Sequence, residues 1–300
     1  MIGIVGVGKY LPVKIADNVP TFADKIGIRN RRVASGVESS AFMSSRAVSD
    51  ALKHAGVDPE QVGMVVGCTY SGDHIFPASA CEVQKIIGMS NAGSFDIHAN
   101  CTGFQIGVRV LSDMMKADDI SYGVVFGSAV QSRFVDQNSD LAHYFGDGSG
   151  AAVLGRVPEG YGVLASEIFS NTSVHDSVKL EWDAPNYKMD GVEVWKQVVQ
   201  YQPLAVKVAL YKIGKSIEDV DFFVFHQANP RLVEYLMGKM KTPMSKTHIT
   251  ADRYGNTAEA SLPITLCEAV EGGKIKRGDL VVISGVGAGF IFGATVMRWY

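Results

Sequence analysis

Asp58-Pro-Glu-Gln-Val-Gly-Met-Val-Val-Gly-Cys68 and Ser216-Ile-Glu-Asp-Val-Asp-Phe-Phe-Val-Phe-His226 repeat one pattern at two places in the chain. Each follows a helix-like stretch closed by glycine, turns on acidic residues and runs into an apolar strand. In both cases a turn into a helix comes roughly thirty residues later, at Cys101 in the first and near Asn256 in the second. Tyr122-Gly-Val-Val-Phe-Gly-Ser128 is then answered by Asp279-Leu-Val-Val-Ile-Ser-Gly285. Such repetition predicts two similar halves, residues 1–157 and 158–300, related by a pseudo-twofold that brings Cys101, His226 and Asn256 to one seam. Residues 156–162 carry no proline-rich or charged linker, so the halves are expected to pack together.

The intervening pattern predicts an α/β class. Strand-like runs at 2–7, 63–68, 123–127, 151–155, 222–225, 280–284 and 291–297 are interspersed with amphipathic helix candidates at 40–55, 78–87, 102–116, 192–213, 230–239 and 260–272. An apolar content of 47% with 20% charged residues is enough for a packed core and excludes a disordered chain. No apolar run approaches the roughly 20 residues that span a bilayer, and Met1 leads straight into Ile2-Gly-Ile-Val-Gly6 without a secretory signal. The expected location is cytoplasmic, with no membrane contact. A net charge of −3 gives no reason to expect nucleic acid. Cys68, Cys81, Cys101 and Cys267 are scattered without a CxxC pair, which argues against a zinc site or a disulfide scaffold.

Two glycine clusters resemble nucleotide loops and fail on context. Gly3-Ile-Val-Gly-Val-Gly8 lacks the third glycine of the dinucleotide fingerprint and meets Pro12 where the phosphate-binding helix should begin. Gly285-Val-Gly-Ala-Gly289 runs into a strand, not a helix N-terminus.

Cys101 lies in Asp96-Ile-His-Ala-Asn-Cys-Thr-Gly-Phe-Gln-Ile-Gly107, a strand end turning into a helix that starts almost at the thiol. A helix N-terminus favours thiolate, so a reactive nucleophile is expected. Attack on an acyl carbon needs donors for the oxyanion; the N–H of Cys101 can be one and the N–H of Ala288, in the small-residue turn 287–289, another. His226 ends an apolar strand and Asn256 stands in a Gly-Asn turn. A neutral His and an Asn donating to one carbonyl oxygen stabilise an enolate, as decarboxylation of a malonyl thioester demands. Singly, a buried Cys, a core His and a Gly-Asn turn are ordinary structural features; three in matching halves are harder to dismiss.

Across nearly its whole length the chain resembles the thiolase-fold condensing enzymes, most closely the 3-oxoacyl-[acyl carrier protein] synthase III (ketoacyl synthase III) group. The motifs occur in family order: Gly6-Val-Gly-Lys-Tyr-Leu-Pro12, Ile26-Gly-Ile-Arg29, His74-Ile-Phe-Pro77, Asp96 to Gly107, Phe145-Gly-Asp-Gly-Ser-Gly-Ala-Ala152, Met189-Asp-Gly-Val-Glu-Val-Trp195, His226 to Arg231, Gly255-Asn-Thr257 and Gly287-Ala-Gly-Phe290. The resemblance implies a five-layered αβαβα fold, a homodimer, no cofactor and a ping-pong reaction on thioesters of coenzyme A or acyl carrier protein. It assigns the acyl group to Cys101, and malonyl decarboxylation and enolate stabilisation to His226 and Asn256. It places Met189, Gly191 and Trp195 at the substrate pocket, with Phe76 closing the partner's pocket. Lys25, Arg29, Asn229 and Arg231 fall to the coenzyme A or carrier contact.

The chain departs from the group where the donor is gripped. Thr21 and Ser139 stand where the group has the Trp and Arg that clamp adenine, Lys25 where Arg is common, and Trp195 where Phe is usual. Asn100 and Ala288 replace smaller residues beside the nucleophile and in the oxyanion turn. These departures favour a specialised, secondary-metabolite type of condensing enzyme over a housekeeping initiator of fatty-acid synthesis. The rival readings are an acyltransferase of the same fold using an oxygen or nitrogen acceptor, a Cys-His-Asn hydrolase and a non-catalytic partner subunit.

Overall fold

The computed structural model describes residues 1–181 and 187–300. The first part of the chain forms β1 (Ile2–Tyr10), β2 (Ile15–Asp17), α1 (Pro20–Ile26), β3 (Asn30–Arg32), α2 (Ser40–Ala55), β4 (Val62–Cys68), α3 (Ser79–Ile87), β5 (Gly93–Ile97), α4 (Gly103–Ala117), β6 (Tyr122–Ala129) and β7 (Gly148–Arg156). There follow β8 (Gly162–Ser170), β9 (Val178–Lys179), β10 (Lys188–Met189), α5 (Gly191–Tyr211), β11 (Phe222–Phe225), α6 (Pro230–Lys239), α7 (Ala251–Tyr254), α8 (Ser261–Glu271), β12 (Leu280–Gly287) and β13 (Ile291–Arg298).

Two sheets carry the fold, in the orders β1-β7-β6-β4-β5 and β11-β12-β13-β8. Strands β4, β5 and β6 run parallel, as do β11 and β12; the remaining pairings of these sheets are antiparallel. The continuous apolar character of β4, β6, β11 and β12 follows from burial on both faces. Between the sheets, Phe104, Val108, Leu111 and Met115 of α4 and Leu262, Leu266 and Ala269 of α8 meet side chains of both. Each of the larger apolar side chains contributes roughly 2 kcal/mol on burial. Helices α2 and α3 cover the outer face of the first sheet, and α5 and α6 that of the second, completing five layers in the order αβαβα.

Local chemistry sets the helix ends. Ser39 accepts the N–H of Phe42 to open α2, Asp190 those of Val192 and Glu193 to open α5, and Asn229 that of Leu232 to open α6, with Pro230 at its first position. Outside the ranges predicted from sequence lie α1, α7, β5, β8 and the short paired strands β2, β3, β9 and β10. Helix α1 is short and starts on a proline, β5 has no fully buried residue, and the edge strand β8 mixes Ser166, Glu167 and Ser170 into its apolar run. No helix among the described residues is long and apolar enough to cross a membrane, and none of their His, Cys, Asp and Glu side chains gather as a metal site.

The first glycine cluster has a packing role. A Cβ on Gly8 would lie 2.2 Å from the Ala47 carbonyl oxygen, and one on Gly6 2.4 Å from that of Ala51, so both glycines let α2 lie directly on β1. Gly8→Ala is expected to lower unfolding stability by about 3 kcal/mol, because the obstacle is helix backbone. Gly238→Ala in α6, where nothing stands within 4 Å, should raise it by up to about 1 kcal/mol. Denaturant midpoints of the two variants test the contrast.

Candidate active site

The carboxyl ends of the parallel strands of both sheets converge on one cavity of about 830 Å³. Tyr70 follows β4, Cys101 follows β5, Gln131 follows β6, His226 follows β11 and Ala288 follows β12; all line it. Ligand sites in open α/β sheets form at such strand ends. Asn256 joins them from the turn before α8.

Cys101 sits in a short 3₁₀ turn, Asn100–Thr102, ahead of α4. Asn100 there adopts φ 47°, and its amide donates to the Ala288 carbonyl at 3.3 Å. The second glycine cluster supplies the room: a Cβ on Gly287 would stand 2.4 Å from the Ala99 carbonyl oxygen. Asp96, in the same motif, does not reach the cavity chemistry. It accepts the N–H groups of Ser79 and Ala80 and opens α3.

His226 is held by its own N–H donating to the Ser284 carbonyl at 2.9 Å and by a 2.7 Å contact between Nδ1 and the Ser261 hydroxyl. Ser261 Oγ also accepts the Gln227 N–H at 3.3 Å. Asn256 is fixed at both ends. Its N–H donates to the Tyr144 carbonyl at 2.7 Å, and its side-chain oxygen accepts the Ala258 N–H at 2.9 Å. That bond assigns the amide: the oxygen is taken by backbone, leaving the NH₂ as the end free to serve the cavity.

Met189, Gly191, Trp195, Lys25 and Asn229 line the same cavity. Phe76, Arg29 and Arg231 do not. Phe76 is 83% exposed before α3, Arg29 pairs with Asp252 at 2.7 Å, and Arg231 pairs with Glu234 and donates to the Asp24 carbonyl. Sequence reasoning missed Tyr70, Gln131, Tyr187, Ser261 and Glu259. Tyr70 and Gln131 lie two residues beyond β4 and β6, a position that nothing in their own chemistry marks in the sequence.

Residues 95–172 match the family described as 3-oxoacyl-[acyl-carrier-protein (ACP)] synthase III, and residues 210–299 its C-terminal part. A beta-ketoacyl-[acyl-carrier-protein] synthase III of Bacillus pumilus is 36% identical over 99% of this chain and 98% of its own. The chain belongs to the 3-oxoacyl-[acyl-carrier-protein] synthase III family. The fold agrees with a synthase III structure from Aquifex aeolicus at TM-score 0.96, 30% identity and full coverage of both chains. The priming β-ketosynthase of the R1128 polyketide pathway superposes at TM-score 0.94, with 26% identity over 99% of this chain and 96% of that one.

Burial decides the protonation of this family member's cavity. His226 is lowered to about 4 by burial alone, so its imidazole is neutral at pH 7. Burial, followed by the charge of Glu259, pushes the Cys101 thiol far above its usual value, against a smaller pull from a backbone N–H. The expected helix-start thiolate is thereby corrected. A helix N-terminus contributes about 0.3–1 kcal/mol, under one pKa unit, whereas burial moves a pKa by as much as about 3–5 units. The resting site holds a thiol.

Glu259, 1% exposed, completes no hydrogen bond with either carboxyl oxygen. Burial raises it from 4.5 to about 8, against backbone N–H groups of Glu259 and Tyr70 that pull it down. Through that window the folded form keeps a proton that the unfolded chain has lost, so stability falls as pH rises. The loss reaches roughly 3 kcal/mol by pH 7. Glu259→Gln is uncharged at every pH. Its melting temperature should start level with the parent near pH 4.5 and lead by roughly 5–10 °C at pH 8. A constant gap across that range would show that Glu259 is ionised throughout.

Proposed function

We propose that this chain is an acyl-thioester condensing enzyme acting in two half-reactions. In the first, Cys101 sulfur attacks the carbonyl carbon of an acyl thioester of coenzyme A or acyl carrier protein. The new C–S bond forms as the old one breaks, and the thiol proton ends on the departing thiol. The N–H groups of Cys101 and Ala288 receive the oxyanion. In the second, a malonyl thioester on acyl carrier protein loses carbon dioxide. The electron pair of the broken C–C bond becomes an enolate, whose oxygen is met by His226 and Asn256. The enolate carbon attacks the acyl-Cys101 carbonyl, a C–C bond forms, and Cys101 leaves as the thiol once protonated, giving a 3-oxoacyl thioester.

The pinned amide of Asn256 beside a neutral His226 carries this reading. Ser261 Oγ accepts from Gln227, so its own proton is free for His226 Nδ1, leaving the ring proton on Nε2 for the enolate oxygen. Two uncharged donors then face one developing charge, which simple acyl transfer to oxygen or nitrogen would not need. Lys25 and Asn229 at the cavity would meet the phosphopantetheine arm, and exposed Arg29 and Arg231 the acidic carrier. Exposed Ile75 and Phe76 support a homodimer in which Phe76 closes the partner's pocket. A cytoplasmic setting, a specialised pathway and the division at residue 157 belong to the same reading.

Intact-protein mass after incubation with acyl-coenzyme A and acyl-carrier thioesters should show one acyl adduct, absent from Cys101→Ser. Addition of malonyl-[acyl carrier protein] should discharge it with release of carbon dioxide. Asn256→Ala should still load acyl groups but release carbon dioxide roughly 10²–10³-fold more slowly. Undiminished carbon dioxide release by that variant would overturn the assignment.

A further inference from the structure

The cavity of Cys101 runs from exposed side chains, with Lys25, Val192 and Trp195 at its mouth, to buried ones around Gln131, which is only 2% exposed. A thioester arm enters through the mouth. The acyl group it leaves on Cys101 therefore faces the buried end.

That end is polar. Tyr70 and Tyr187 donate to the side-chain oxygen of Gln131 at 3.0 and 3.1 Å, and their hydroxyls touch each other. Gln131 in turn donates an N–H to the Asn256 carbonyl. Each phenol has one proton and the amide two. The phenol protons are spent on Gln131 or on one another, and one amide proton is spent on Asn256. Phenol lone pairs and the second amide N–H remain. A hydroxyl, which both accepts and donates, matches that remainder; an alkyl end does not, and buried polar groups left unmatched are what make such sites selective.

The charge of the end wall narrows the class further. Burial first, with Glu259 adding to it, raises both phenols, so they stay neutral. Among the described residues lining the cavity, the only Lys or Arg is Lys25 at the mouth, so a carboxylate at the buried end would go unpaired. A cation would need an ionised partner, and Glu259 is mostly protonated at pH 7. The paired hydroxyls share this end of the cavity with Phe145, which lines it and stacks on Tyr187 at 5.0 Å.

We infer that the acyl group taken by Cys101 is an uncharged hydroxyacyl group whose hydroxyl seats among Tyr70, Gln131 and Tyr187. The inference rests on the condensing reading above and names its donor.

The test is the rate of Cys101 acylation by N-acetylcysteamine thioesters of butanoate, 3-hydroxybutanoate, 4-hydroxybutanoate and succinate, in the full chain. These small thioesters bypass any choice between coenzyme A and carrier protein. At least one hydroxybutanoyl thioester should load ten or more times faster than butanoyl, with succinyl slowest. Tyr70→Phe and Tyr187→Phe, each losing a single oxygen, should bring the hydroxyl-to-alkyl ratio within each variant towards one. Equal loading of butanoyl and both hydroxy compounds, or a preference that survives both variants, overturns the inference and leaves the condensing reading standing. No loading from any thioester overturns that reading and the inference with it.

Discussion

The Ala99 carbonyl and the Gly287 backbone come so close that a single added carbon would not fit between them. This contact joins the loop beyond β5 of the first sheet to the end of β12 in the second, with Cys101 on one side and Ala288 on the other. The sandwiched helices α4 and α8 hold the sheets at the spacing that allows it. Every other feature of the site follows from that convergence of strand ends. The glycines that suggest a nucleotide loop in sequence are where backbone must meet backbone.

Cys101, His226 and Glu259 rest uncharged because burial outweighs each local effect that would ionise them. The imidazole stays neutral, the thiol stays protonated, and Glu259 shifts towards its acid form. Neutral groups around Cys101 suit chemistry in which negative charge appears first on an oxyanion and then on an enolate. Donors that carry no counter-charge gain most when the charge develops and bind little beforehand.

The strands and helices legible in sequence are those with a continuous or strongly periodic apolar pattern, such as β4, β6, β12 and α4. The edge strand β8 was hidden by its polar residues and α1 by its length. Cys101, His226 and Asn256 could be read because each sits in a turn whose small or polar neighbours mark a strand end. Tyr70, Gln131 and Tyr187 could not, since a Tyr or Gln beyond an apolar run has no distinguishing chemistry until topology brings it to a cavity. The state of the Cys101 thiol was misread for a related reason. Sequence shows that a helix begins there, but not how much protein covers it.

The hydrogen bond from Gln131 to the Asn256 carbonyl has an evolutionary consequence. Tyr70 and Tyr187 bond to Gln131 and to each other, with no hydrogen bond to Asn256 among the described residues, so drift at those positions can retune what fits while leaving the turnover apparatus in place. Gln131 belongs to both. A lineage acquiring a new diet of acyl groups has two free dials and one geared to the engine, and changes at position 131 should arrive late, accompanied by compensating changes near the Asn256 turn.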